Sequence, residues 1–239
     1  MSVLFCLLLF AQTSSLSQLP YTTARNTDFP LLGSGIAALL ADRIPGKSLP
    51  PIGIEELHSL SKLSVNRIDR HATYLYSAFK SKWSDILVGF SVMSPAGLFL
   101  NKNVRLDAGT FSLMYLETIF LSTFIPQLCK RSVERYRPYV YNPDAPLSVK
   151  IKPDSRRSFY SGHTTIAFAA AVFLSTVYSN TQNTGKWRSF VWTGSLLSAS
   201  LVGYLRYASG AHFPTNILAG ALTGAAIGFL VPALHRTTK

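Results

Sequence analysis

Five long apolar stretches dominate the chain, and none alternates apolar and polar residues as a half-buried strand does. Two contain a single charge each, Asp85 in Trp83–Asn101 and Glu117 in Ala108–Cys129. The other three contain no Asp, Glu, Lys or Arg; they are Ser158–Thr184, Ser189–Leu205 and Tyr207–Leu234. Each approaches the ~20 residues that a helix needs to cross a bilayer, and segments in lipid satisfy their own backbone as helices. The pattern predicts an all-α, polytopic membrane bundle.

A sixth apolar stretch, Phe29–Ala41, is shorter and lies between Asp28 and Asp42. It either spans with distortion or lies in the membrane interface, so the bundle has five to six spanning helices. The last stretch is rich in glycine and alanine, which permits close contact between helices in lipid. The alternative interpretation of all these stretches is a soluble all-α protein with buried helices.

The N-terminal end begins with the apolar run Val3–Ala11, followed by small polar residues as far as Ser17. Its length is typical of a secretory signal peptide, and an N-terminal membrane anchor is the alternative. We therefore divide the chain into a signal peptide or anchor at 1–17, an interfacial region at 18–82 and a membrane-embedded core at 83–235.

Composition and net charge exclude several classes of protein and of binding partner. With 48% hydrophobic residues the chain is not disordered, and two cysteines, Cys6 and Cys129, exclude a disulfide framework or a cysteine-rich zinc module. The formal net charge of +12 implies an anionic partner. Nucleic acid is not expected, because no soluble basic patch interleaved with aromatic residues is present. Membrane lipids and a phosphorylated substrate fit the charge, and no obligate protein partner is evident.

The order of the spans places four helix ends on one side of the membrane. These ends carry three cations and two histidines, which predicts one site for a phosphoryl group. The residues are Lys130 with Arg137, Ser161-Gly162-His163, Arg206 and His212. Each cluster alone has an ordinary structural alternative: snorkelling cations, helix capping or a histidine at a helix entry.

Spacing suggests how these residues are arranged. Lys130 and Arg137 lie seven residues apart, and they share a helix face if the helix continues that far. Pro138 disfavours helix at Arg137. Asn216 follows His212 by four residues, so we expect the two side chains on one helix face, with the amide oxygen accepting from Nδ1–H of the imidazole.

Three motifs, in order and at fixed spacing, resemble the signature of the type 2 phosphatidic acid phosphatase superfamily, which also contains vanadium haloperoxidases and bacterial acid phosphatases. They are Lys130-x6-Arg137-Pro138, Ser161-Gly162-His163 and Arg206-x5-His212-x3-Asn216. The flanking sequence is especially similar to that of bacterial membrane members. The resemblance covers Lys130 to Asn216 and implies a helical membrane phosphatase.

The resemblance also implies roles for the individual residues. His212 would be the nucleophile that forms a phosphohistidine, and His163 the general acid that protonates the leaving alcohol. The phosphate oxygens would be bound by Lys130, Arg137, Arg206, Ser161 and the Gly162 backbone amide. Members of the family need no metal or other cofactor. The substrate would be a lipid phosphate, which the motifs do not specify further.

Three positions depart from the family pattern. Tyr160 replaces a proline, Leu205 replaces a serine, and Asn216 replaces the aspartate that orients the nucleophilic histidine. An amide oxygen can still set the tautomer of His212 but supplies no negative charge. The sequence therefore leaves two alternatives open, a catalytically weak or inactive lipid-phosphate-binding protein and a vanadate-dependent haloperoxidase. It also predicts that Asn216→Asp preserves or raises turnover.

Two further expectations concern position in the membrane. Glu117, an ionisable group inside a span, is expected to give structural support by pairing with a site cation or by being protonated. The chain is expected to be an integral protein of the bacterial inner membrane. Cleavage of the signal peptide, together with a non-spanning Phe29–Ala41, would place the site on the periplasmic side, the side we expect; a spanning Phe29–Ala41 would place it on the cytoplasmic side.

Overall fold

The fold is a bundle of α-helices, described by a computed structural model over residues 19–41, 49–182 and 185–237. In chain order the helices are α1 Arg25–Ala41, α2 Ile54–Ser59, α3 Ala78–Met93, α4 Lys102–Leu106, α5 Ala108–Ser132, α6 Leu147–Lys150, α7 Gly162–Thr181, α8 Gly185–Ala208 and α9 Pro214–Leu234. Only isolated bridges, and no sheet, occur in these ranges. The predicted all-α class is confirmed. The signal peptide predicted at 1–17 lies outside the described residues.

Three helical segments are long and apolar enough to cross a membrane. They are Ala78–Leu100, which joins α3 to the 3-10 helix after it, and the helices α5 and α9. The two other predicted spans contain α7 and α8, which are helical but are not among these three segments. The short candidate Phe29–Ala41 belongs to α1, which packs against α5.

Helix α7 lies at the centre of the bundle and packs against α3, α5, α8 and α9. Its small residues allow this, since the segment Ala169–Ala171 is buried. Phe173 and Val177 join a core cluster with Phe111 and Met114 of α5. A helix without charges that is buried on several sides needs no polar face, which explains the uncharged sequence.

The glycines of α9 bring that helix into contact with the backbone of α7. A Cβ atom at Gly224 would collide with the carbonyl oxygen of Thr165, and one at Gly228 would collide with that of Ala169. The close approach predicted from the small residues of this stretch is therefore confirmed. Through this contact the first turn of α9 is placed beside the first turn of α7.

The turn between α8 and α9 depends on a glycine. Gly210 has φ +72°, a left-handed conformation that residues with a Cβ rarely adopt. A Cβ at this position would also collide with the carbonyl oxygen of Leu75. The carbonyl of Gly210 accepts a hydrogen bond from the Tyr139 backbone at 2.9 Å. The turn is thereby fixed against the loop that follows α5.

Candidate active site

His212 lies in the turn between α8 and α9 and is 1% exposed. Its Nδ1 atom is 2.8 Å from the carbonyl oxygen of Ser158. Because a carbonyl only accepts hydrogen bonds, Nδ1 carries the proton and Nε2 keeps its lone pair. Nε2 lies 3.4 Å from Nη1 of Arg137. The tautomer set by Ser158 therefore leaves the lone pair on Nε2, beside the Arg137 guanidinium, where the nitrogen can act as a nucleophile.

The electrostatic surroundings keep this imidazole uncharged. Burial is the largest cause that lowers the pKa of His212, and the positive charges of Arg137 and Arg206 lower it further, well below the usual value. The hydrogen bond to the Ser158 carbonyl opposes the shift without cancelling it. A neutral imidazole surrounded by cations at neutral pH can attack phosphorus and can sit beside a bound phosphate.

The predicted contact between His212 and the Asn216 amide oxygen is wrong. That oxygen accepts from Nη1 of Arg135 at 2.6 Å, while Nδ2 donates to the Ser158 carbonyl at 2.9 Å and to its hydroxyl at 2.7 Å. The spacing of four residues places two side chains on one face only within a helix. His212 precedes α9, and Phe213 has extended backbone. Asn216 thus acts on His212 through Ser158.

Arg137 reaches the site from extended chain. Helix α5 ends at Ser132, so Lys130 and Arg137 do not share a helix face, and Arg137 is extended as expected before Pro138. Its guanidinium donates to the Ala211 carbonyl at 3.3 Å and is held by the Asp154 carboxylate at 2.7 Å. The two cations converge through tertiary structure.

Lys130 lies on the last turns of α5, beside the start of α7. Its Nζ atom would be 3.8 Å from a Cβ at Gly162, so the glycine leaves room between the amine and the helix end. Ser161 is buried and caps α7, its hydroxyl oxygen accepting from the backbone N–H of Thr164 and from the Thr164 hydroxyl at 2.8 Å. The capping alternative is observed for Ser161, and its hydroxyl proton is free to be donated elsewhere.

Arg206, in the last turn of α8, is almost completely buried. Its Nη1 atom donates to Ser81 and Ser84, both at 3.2 Å, and lies 3.4 Å from Oδ1 of Asp85. Its Nε atom is buried and has no hydrogen-bond partner among the described residues. A buried donor without a partner is costly, and a phosphate oxygen would satisfy it.

His163, in the first turn of α7, faces a carboxylate. Its Nε2 atom lies 2.9 Å from Oδ1 of Asp85, and both side chains are partly exposed, 37% and 57% respectively. The Asp85 carboxylate can orient the His163 imidazole, and the pair is within reach of solvent. Asp85 was not predicted as a site residue, although a single charge within an apolar stretch is a recognisable signal.

A second layer of residues supports Asn216 and was also not predicted. Buried Asp69 accepts from Arg135 at 2.7 Å and from the backbone and hydroxyl of Thr215 at 3.0 and 2.7 Å. Burial raises the pKa of Asp69, but the hydrogen bonds from Thr215 and Asn66 outweigh it, so the pKa lies below its usual value. Asp69 comes from the region before the core, where the sequence carries little family signal.

The model of one protein family matches the sequence over residues 111–239, more than half of the chain, and its description is PAP2 superfamily. The chain belongs to the PAP2 superfamily. All eight site residues predicted from the three motifs lie within the matched range. As the apolar helices indicate, this is an integral membrane protein with the helical fold of the family.

The chain is also similar to individual proteins and solved structures. The Probable diacylglycerol pyrophosphate phosphatase 1 of Schizosaccharomyces pombe is 37% identical over 91 residues, which cover 36% of this chain and 33% of that protein. The match thus spans about a third of the relative's length. A crystal structure of a transmembrane PAP2 type phosphatidylglycerolphosphate phosphatase from Bacillus subtilis has TM-score 0.52 and 20% identity, covering 88% of this chain and 98% of that one. Aquifex aeolicus LpxE has TM-score 0.46 and 24% identity, with coverages of 68% and 90%.

Proposed function

We propose that this PAP2 protein is a metal-independent phosphatase that removes phosphate from a lipid phosphate monoester or pyrophosphate through a phosphohistidine on His212. Family membership supports a phosphoric ester hydrolase. The observation that carries the mechanism is the environment of His212, whose Nδ1 proton is held by Ser158 while Nε2 faces the guanidinium of Arg137. This arrangement prepares a neutral nucleophile next to a binding site for an anion.

Binding of the phosphate uses donors that the protein holds in place before the substrate arrives. Arg137, Lys130 and the unpartnered Nε of Arg206 supply cationic donors. The hydroxyl of Ser161 and the amide of Gly162 add neutral donors at the start of α7, where the helix dipole favours an anion. These groups stabilise the charge that develops on the phosphoryl oxygens in the transition state.

The reaction proceeds in two displacements. Nε2 of His212 attacks phosphorus, the bond from phosphorus to the leaving oxygen breaks, and His163 gives its proton to that oxygen. The lipid alcohol, or the lipid monophosphate from a pyrophosphate, departs. A water molecule then gives a proton to His163 and attacks the phosphohistidine, which releases inorganic phosphate and restores His212. Asp85 holds His163 in position for both transfers.

A lipid substrate follows from the location of the site at the ends of apolar helices. Large exposed side chains on α3, α8 and α9 provide a lipid-facing surface. Phosphatidate, phosphatidylglycerol phosphate, an isoprenyl phosphate or pyrophosphate, and phosphorylated lipid A all fit this chemistry. The relatives act, by their names, on diacylglycerol pyrophosphate and phosphatidylglycerolphosphate. The assignment to a bacterial inner membrane, with the site on the periplasmic side, is part of this proposal.

Asn216 also bears on the alternative of an inactive lipid-phosphate-binding protein. That alternative assumes that the family aspartate has been lost as the partner of the nucleophile. In this structure the partner of His212 is the Ser158 carbonyl, which the Asn216 amide holds from the other side. The substitution therefore leaves the proton on Nδ1, and an active enzyme is the better interpretation.

The test is phosphate release from a panel of lipid phosphates in detergent micelles with EDTA present. We expect turnover by the wild type and none by His212→Ala. His58→Ala, which removes an exposed histidine from α2, serves as the matched control. Unchanged turnover in His212→Ala would reject the nucleophile. Halide oxidation with vanadate, rather than phosphate release, would favour the haloperoxidase alternative.

A further inference from the structure

A second group of convergent polar side chains lies away from the phosphate site. It consists of Asp28 in the first turn of α1, Glu117 in α5 and His235 just after α9. Nε2 of His235 is 2.9 Å from Oδ1 of Asp28 and 3.3 Å from Oε2 of Glu117. One oxygen or nitrogen atom from each residue lies within 4.8 Å of the other two. Glu117 and His235 are buried, and Asp28 is 13% exposed.

The tautomer of His235 directs a lone pair into this cluster. Nδ1 lies 2.8 Å from the carbonyl oxygen of Val231, which can only accept, so Nδ1 carries the proton. In the neutral ring Nε2 then presents its lone pair to two carboxylates. Histidines that bind a metal through one ring nitrogen usually donate the N–H of the other ring nitrogen to a carboxylate, a backbone carbonyl or water, as Nδ1 of His235 does here.

Glu117 supplies an independent indication of a missing ligand in this cluster. Both of its carboxylate oxygens are buried and have no hydrogen-bond partner within the described ranges. The expectation that Glu117 pairs with a cation of the phosphate site is wrong: it lies thirteen residues before Lys130 in α5, about 20 Å along the helix. A buried carboxylate with no hydrogen bond is strongly disfavoured, so Glu117 is either neutralised by a cation in this cluster or protonated, as the other branch of the expectation has it.

We propose that Asp28, Glu117 and His235 bind one divalent metal ion of the zinc class. Zinc takes nitrogen and carboxylate oxygen ligands at about 2.0–2.2 Å in tetrahedral geometry, which separates the ligand atoms by about 3.3 Å. The distance between Glu117 and His235 already has this value. Asp28, whose side chain is 13% exposed, has to move back by a few tenths of an ångström.

This metal would be structural and would take no part in phosphate transfer. Pro214–Leu234 contains 21 residues, so its two ends lie about 30 Å apart, with His212 just before one and His235 just after the other. The three ligands come from α1, α5 and the segment after α9. Backbone hydrogen bonds already join this segment to the residues before α1, such as Thr22 N–H to the His235 carbonyl at 2.8 Å. The ion would fasten α1 to the bundle.

Metal content of the whole, tag-free protein tests this proposal. After loading with Zn²⁺ and dialysis against metal-free buffer, we expect about one zinc per wild-type chain. Glu117→Gln, which keeps the side-chain shape, and His235→Ala are expected to retain none. The controls Glu55→Gln and His58→Ala, both exposed on α2, are expected to retain the wild-type amount. Phosphate release by Glu117→Gln shows that this variant is folded.

Thermal unfolding gives a second readout. Zn²⁺ is expected to raise the Tm of the wild type, and EDTA to lower it, with neither changing the Tm of Glu117→Gln. A charged His235 that donates to Asp28 beside a protonated Glu117 would produce the same contacts without a metal. A wild type that retains no more zinc than Glu117→Gln, or an equal Zn²⁺ effect on both Tm values, overturns the proposal in favour of that metal-free arrangement.

Discussion

Substitution of Asn216 by alanine tests how the nucleophile is positioned. The change removes the hydrogen bonds of 2.9 and 2.7 Å to Ser158 and the acceptor of the 2.6 Å bond from Arg135. A buried polar group left unpaired costs about 1–3 kcal/mol, and each ~1.4 kcal/mol in the barrier is a factor of ten in rate. Because His212 keeps its own bond to the Ser158 carbonyl, we expect kcat to fall about 10-fold to 100-fold, with little change in KM.

The assay is the initial rate of phosphate release from phosphatidate in mixed micelles. Asn101→Ala is the matched control. The Asn101 side chain caps α4, and α4 leads into the N-terminal end of α5, whereas Lys130 lies near the C-terminal end of α5. The same assay measures the cost of losing an asparagine hydrogen bond outside the site. If the kcat of Asn216→Ala equals that of Asn101→Ala, then Ser158 does not need Asn216, and the positioning argument fails.

Asn216→Asp separates two accounts of the same position. The sequence alone predicts preserved or raised turnover, on the assumption that residue 216 bonds directly to His212. In the structure, an aspartate replaces the Nδ2 donor by an oxygen that faces the Ser158 carbonyl. We therefore expect a lower kcat, and the new anion should raise the pKa of His212 and move the acid limb of the rate profile to higher pH. A kcat at or above the wild-type value supports the direct contact instead.

Three further predictions concern other parts of the site. Burial and nearby cations lower the pKa of His212 well below 6.5. We therefore expect kcat/KM to stay constant as the pH falls below 6.5 and to decrease only when the pH passes through the lowered pKa of His212. A decrease in kcat/KM that begins at or above pH 6.5 contradicts the assignment of His212 as the nucleophile. Asp85→Asn removes the anion that faces and orients His163, so kcat should fall about threefold to tenfold; an unchanged kcat excludes a role for Asp85. Gly210→Ala places a Cβ against the Leu75 carbonyl at a residue with positive φ. We expect the free energy of unfolding, measured with denaturant, to fall by more than about 1 kcal/mol. An unaltered unfolding midpoint would refute the claim that this turn requires glycine.

The fold could be predicted from the sequence because long stretches without charged residues indicate helices that are buried in the protein or in the membrane. A stretch such as Ser158–Thr184 has no charged residue that could face water, and the corresponding helix α7 lies at the centre of the bundle. The glycines of α9 predicted close packing for the same kind of reason. Both signals follow from residue types alone, and neither depends on a particular tertiary partner.

The composition of the site could be predicted but its internal contacts could not. The wrong contact, between His212 and Asn216, applied helical spacing to a residue that precedes α9. The acceptor for His212 is a backbone carbonyl, and every residue has one, so no side-chain type marks Ser158. Asp69 reaches the site through tertiary packing from the region before the core. Only Asp85, alone in an apolar stretch, carried a signal that sequence analysis could have used.

The measurement that tests the central proposal most directly is chemical trapping of the phosphorylated enzyme. The wild type is mixed with lipid phosphate labelled in the phosphoryl group, quenched in base within the first turnover, digested and mapped by mass spectrometry. We predict an acid-labile, base-stable phosphate on the peptide that contains His212, and no label in His212→Ala. Label on any other residue, or turnover that proceeds with His212 replaced, would contradict the mechanism.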